Sequence, residues 1–196
     1  MNLSLAITLS STLQAELGLL RGSLDDVHWT PAEQSLIPLQ HLGHLSSRHE
    51  LEELDMALSH LRWEPFPLAL HQVAHQMGDV EDRLTVGVTP QQPLLTLQKR
   101  LATALKRVGL SLPRRTVVPE LTVARLAPAS PTDLIPWIQR HNLFHSSEMV
   151  VDHISLVEHL PSSSGTHIRP LENYMAGPEF IQPPVSLSSH EEDELF

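Results

Sequence analysis

The sequence predicts an α+β fold built on antiparallel sheet. Strand-like and helix-like segments follow one another in pairs, and the pairing is repeated twice along the chain. The helix-like segments each carry one stripe of leucines, whereas the strand-like ones are short and alternate. The 196 residues suit one compact domain with enough chain for a real core. Aromatic residues make up only 4%, so that core must rest on Leu, Val, Ile and Ala.

Taken in order, residues 1–8 alternate through Leu3, Leu5 and Ile7 and read as a strand. Ser10 and Ser11 cap a helix to about Leu24, with Leu13, Leu17 and Leu20 on one face. Trp29-Thr30-Pro31 breaks the chain, and residues 35–42 read as a short strand interrupted by Pro38, which has no amide proton for a ladder. Ser47-Arg48-His49-Glu50 has the form of a capping box, and the helix after it carries Leu51, Leu54, Leu58 and Leu61. Residues 65–70 and 83–88 read as strands around a polar loop. A helix then opens at Thr89-Pro90, with Pro90 in its first turn, and runs to Gly109 on a stripe of Leu94, Leu97, Leu101 and Leu105. Residues 116–126 read as a strand and residues 130–138 as the start of a short helix holding Trp137. Residues 149–159 and 166–174 read as a closing hairpin. The expected division is a body over residues 1–175 and a disordered tail over 176–196, rich in proline, serine and acids.

Composition excludes several classes of function. With no cysteine there is no disulfide, thiolate metal site or cysteine nucleophile. The first twenty residues lack a basic segment and contain Gln14 and Glu16, unlike a secretory signal, and no apolar run approaches the roughly 18 residues of a membrane span. A cytoplasmic protein is expected. The formal charge of −10 disfavours phosphate ligands, but five acids sit in the tail. Seven of the 13 basic residues, Lys99, Arg100, Lys106, Arg107, Arg114, Arg115 and Arg125, fall within residues 99–125. They read as a solvated helix face plus a loop, or as a phosphate-facing patch.

Two segments carry a family likeness. Pro119-Glu120-Leu121-Thr122-Val123-Ala124-Arg125 resembles a Pro-His-Leu-Thr-Leu-Ala-Arg motif with glutamate in the histidine slot. The run from Trp29 to Gly43 resembles Trp-x-x-Pro-Glu-Asn-Leu-His-Leu-Thr-Leu-x-Phe-Leu-Gly, with Trp29, Glu33, Leu39, Leu42 and Gly43 in place. There the histidine slot falls on Leu36 and the threonine slot on Pro38. The leucine-rich helix, the strands at Pro65–Leu68 and Val86–Val88 and the strand at Val150–His159 follow the same order. The chain thus resembles, over residues 1–175, the 2H phosphoesterases, the LigT-like RNA 2′,3′-cyclic phosphodiesterases also called 2′–5′ RNA ligases. The resemblance implies a bilobed fold, two antiparallel sheets with flanking helices around a central cleft, each lobe giving one His-x-Thr strand.

The chemistry of that family explains the residue types. Opening a cyclic phosphate needs one group to deprotonate water and another to protonate the leaving oxygen, and two imidazoles suit both tasks near neutral pH. A hydroxyl two residues on shares the strand face and donates to the phosphate as charge builds. Here Leu36 and Pro38 transfer no proton, and Glu120 sets a carboxylate against an anion. The resemblance therefore implies a pseudoenzyme that has lost its histidine pair and binds a nucleotide or an RNA end with a terminal phosphate through Thr122 and Arg125. It implies no cofactor and no metal. The rivals are an active cyclic phosphodiesterase rebuilt on Glu120, Thr122 and another histidine, and a protein-interaction module using the acidic end Glu191–Phe196.

Regular strand parity turns Arg125 away from Thr122 and His41 away from Leu36. The remaining histidines, among them the pairs His41/His44 and His71/His75 and the hairpin residues His153 and His159, read as solvated or core residues. No glycine-rich phosphate loop or nucleophile elbow occurs.

Overall fold

A computed structural model describes residues 1–110, 118–127, 132–162 and 165–177. Arg114, Arg115 and the expected tail beyond Gly177 lie outside them. The strands are β1 (Asn2–Thr8), β2 (His28–Trp29), β3 (Leu36–His44), β4 (Phe66–Gln76), β5 (Asp82–Thr89), β6 (Leu121–Leu126), β7 (Met149–Val151), β8 (His153–Ser162) and β9 (Gly165–Met175). The helices are α1 (Ser11–Gly18), α2 (Arg48–Ser59), α3 (Gln91–Arg107) and α4 (Ile135–His141). They build a four-stranded sheet, β3-β1-β8-β9, and a five-stranded sheet, β2-β6-β5-β4-β7. These strand pairings are all antiparallel, as the α+β prediction requires.

Each sheet has one covered face. α3 lies against β3, where Gln98 Nε2 donates to the Leu39 carbonyl at 3.0 Å, and α2 meets β9 where Tyr174 donates to Asp55 at 2.9 Å. Behind the other sheet α4 packs on β4, and Trp137 Nε1 reaches across to the Leu20 carbonyl after α1 at 3.1 Å. The predicted leucine stripes supply this core: Leu13, Leu17 and Leu20, then Leu54 and Leu58, then Leu94, Leu97, Leu101 and Leu105 are all buried. Pro38 does not interrupt β3. That strand is the edge of its sheet, the place where a sheet tolerates proline.

Several boundaries differ from the sequence reading. The first helix stops at Gly18 instead of Leu24, and the chain turns through left-handed Gly22 and Ser23. Pro90 is the cap of α3 and precedes its first turn. The segment at 149–159 is two strands: β7 pairs with β4 and β8 pairs with β1, so the chain changes sheet at Asp152. No local residue pattern marks that change, since both halves are apolar and β-forming. β2 is too short to show a period and exists through its pairing with β6.

Candidate functional site

The two motif strands are built alike. In β3, Ala6 pairs with Pro38 and Leu5 with Gln40, leaving Leu39 as an extra residue; in β6, Thr85 pairs with Thr122 and Leu84 with Ala124, leaving Val123 extra. Each is a β-bulge, three residues after the histidine slot of its motif. A bulge reverses the parity of every residue beyond it. Thr8, Ala6 and Ser4 share one face of β1, so their partners Leu36, Pro38 and His41 share it too. Thr85 and Arg83 share one face of β5, so Thr122 and Arg125 do as well. The opposite faces hold Ile37, Leu39, Leu121 and Ala124, all buried in the core.

Two expectations are thereby corrected. Arg125 lies on the face of Thr122, and His41 lies on the face of Leu36; regular alternation put both on the far side. β3 and β6 also touch each other, joining the sheets at the motif strands. Leu36, Pro38, Glu120 and Thr122 are each half-buried on the side away from the helices. At the Leu36 and Pro38 slots the cleft side is hydrocarbon. Glu120, just before β6, extends over β5 and accepts a hydrogen bond from Gln76 Nε2 of β4 at 2.5 Å. Thr122 stands opposite Thr85, which is buried. Arg125 Nε is 3.6 Å from Glu81.

Three histidines that the sequence reading left as solvated or core residues stand near the motif strands. His153 shares a hydrogen bond with Thr8 Oγ1 through Nε2 at 3.2 Å, and its Nδ1 is 2.6 Å from Asp152 Oδ1. Since Thr8 pairs with Leu36, this carboxylate–imidazole–hydroxyl chain ends beside Leu36. His159 Nε2 shares a hydrogen bond with buried Ser4 Oγ at 2.6 Å, and its ring centroid is 6.4 Å from that of His41. Burial, then the charge of His41, then that of Arg125 across the cleft push the His159 imidazole below its usual range. The third, His71, sits over Gly87: a Cβ there would come within 3.2 Å of its Nε2 and 3.0 Å of its carbonyl. The alternation of β8, with buried Ile154 and Leu156 between His153 and His159, was the one signal that could have found two of them.

Among the described residues no three His, Asp or Glu side chains are grouped to hold a metal. Nor, among them, is any helix long and apolar enough to cross a membrane. A cavity of about 650 Å³ lies away from the motif strands' inner faces, between the end of β3, the start of α2 and Val108–Leu110. Leu42 and Gly43 of the first motif line it too, but its polar groups, His44, His49, Glu50 and Glu53, lie outside the motifs, and the candidate site is placed on the inner faces of the motif strands.

A family model described as the 2′-5′ RNA ligase superfamily matches residues 32–162, well over half the chain. Among solved structures, TT0787 of Thermus thermophilus superimposes with a TM-score of 0.72 at 22% identity, covering 91% of this chain and all (100%) of that one. E. coli LigT complexed with 3′-AMP gives 0.69 at 18% identity, covering 89% and 97%. LigT complexed with phosphate gives 0.67 at 17%, covering 89% and 96%. No curated protein matches by sequence. At these identities the structural likenesses establish the bilobed fold.

Proposed function

The chain belongs to the 2′-5′ RNA ligase superfamily, the LigT-like 2H phosphoesterases, and on that premise we propose that it is a non-catalytic member that binds a nucleotide or an RNA end through a terminal phosphate. The carrying observation is the pair of slots. Leu36 and Pro38 present carbon where proton transfer needs an imidazole and a hydroxyl, and the Glu120 carboxylate is engaged by Gln76. Thr122 keeps a hydroxyl for a phosphate oxygen, and Arg125 adds a cation on the same face. E. coli LigT, in complexes with 3′-AMP and with phosphate, shows that this fold accommodates such ligands.

The test is incubation with nucleoside 2′,3′-cyclic phosphates, alongside calorimetric titration with 3′-AMP. Turnover is expected far below the roughly 1 s⁻¹ of slow ordinary enzymes, with 3′-AMP bound and its affinity reduced about tenfold by Arg125→Ala. Turnover above that level would overturn the assignment. A second reading, an active phosphodiesterase with a rebuilt site, draws on the Asp152–His153–Thr8 chain beside Leu36. It requires turnover that both Glu120→Gln and His153→Gln abolish.

A further inference from the structure

One end of the cleft concentrates positive charge in a chain whose formal charge is −10. On the five-stranded sheet Arg83 of β5 pairs directly with Arg125 of β6, and Arg125 pairs on its other side with His28 of β2. Like charges placed opposite each other on one sheet face are destabilising. Glu81 relieves Arg125 only in part, at 3.6 Å and with both side chains about half exposed (50% and 44%). Such a pair is stabilised by an anion seated over it. The four-stranded sheet faces this row with a second one, His41, Ser4 and His159, in which Ser4 orients the His159 ring and His41 stands beside it. β3, which carries His41, touches β6, which carries Arg125, so the two rows border the same junction of the sheets.

We propose that Arg83, Arg125, His41 and His159 form a subsite for a backbone phosphate of single-stranded RNA, one step along the cleft from the terminal-phosphate slots. This rests on the nucleotide-binding reading of the cleft: Arg125 belongs to the motif and is shared between the terminal phosphate and its neighbour, whereas Arg83, His41 and His159 are the part that the motif does not supply. Arg125 follows Thr122 by three residues, one of them in a bulge, which places the two about 7–10 Å apart along β6. That is on the scale of the step between successive phosphates of an extended strand. The arginines supply charge in fork geometry at any physiological pH. The histidines donate to the phosphate when protonated, and a bound anion favours that form. Binding therefore takes up protons and strengthens as pH falls. The groups that face His159 are Ser4 on β1, His41 on β3, and Arg125 with its partner Glu81 from the other sheet. On β9 its cross-strand neighbour is Ile168, while the adjacent Arg169 is paired to Glu158.

The full chain is titrated with uridine 3′-phosphate and with a uridine trinucleotide carrying a 3′-phosphate, at pH 6 and pH 8 and low salt. The trinucleotide is expected to bind roughly tenfold tighter at pH 6, with a smaller margin at pH 8. Arg83→Gln, and separately the pair His41→Gln with His159→Gln, should reduce the margin to about twofold or less. Thr122→Ala should weaken both ligands alike and leave the margin intact. Equal binding of the two ligands by the unaltered protein refutes the subsite while leaving the terminal-phosphate site standing. A margin that survives both sets of substitutions does the same. Failure of both ligands to bind would remove the nucleotide-binding reading and the subsite together.

Discussion

On the non-catalytic reading proposed above, Leu36 and Pro38 remove half of the proton chemistry of the cleft and leave β3 intact as a strand. Leu36 pairs with Thr8, and Pro38 sits on an edge strand, where proline is tolerated. Glu120 differs, because its carboxylate could accept a proton but is turned onto the sheet by Gln76. If only side chains are missing, restoring them should restore chemistry. The triple substitution Leu36→His, Pro38→Thr and Glu120→His is expected to raise cyclic-phosphate hydrolysis by at least about 10²-fold, the low end for one proton-transfer group. A nucleoside 2′,3′-cyclic phosphate assay checks this, and no gain in a variant with an unchanged melting curve would show that the backbone of the cleft has also drifted. The assignment of these slots is a reading of the sequence, carried by the flanking residues that the two motif-like segments keep.

The strands carry the next layer of control. Bulges at Leu39 and Val123 bring His41 and Arg125 to the inner faces, and neither bulge is written in a residue type: Leu and Val are ordinary strand residues. The β4–β5 turn is held by Asp82, which accepts from the Gly78 amide at 3.0 Å and shares a 2.9 Å contact with His75 Nε2. The Gly78 amide first, then His75, hold the Asp82 carboxyl below its ordinary value. A carboxyl depressed in the folded state contributes stability above its unfolded pKa of about 3.9 and loses it as pH falls through the folded value. Asp82→Asn should therefore lower the melting temperature by a constant amount from about pH 5 upward, and the gap to the unaltered protein should close toward about pH 2. Circular-dichroism melts across that range decide it; a gap independent of pH would mean that the carboxylate charge is not what holds the turn. Its polar residues mark the turn in the sequence, but the Asp–His–Gly anchor needs the two strands in register.

Across the whole molecule the chain passes repeatedly between the sheets: β1 in one, β2 in the other, β3 back, β4 and β5 across, β6 and β7 there, β8 and β9 home. Neither lobe is a continuous segment, so neither closes its core without the other. Denaturant unfolding is expected to be a single transition, with far-ultraviolet circular dichroism and the fluorescence of Trp29, Trp63 and Trp137 superimposable. Separated midpoints would show lobes that fold on their own. Composition, leucine periodicity and motif order were enough to determine an antiparallel α+β body, because period and side-chain chemistry are local properties. Tertiary pairing alone decided that residues 149–159 serve two sheets, that two bulged strands aim His41 and Arg125 inward, and that His153 and His159 join them. The physical reason is that strand parity is set by the partner's register, and one unpaired residue reverses every side chain after it.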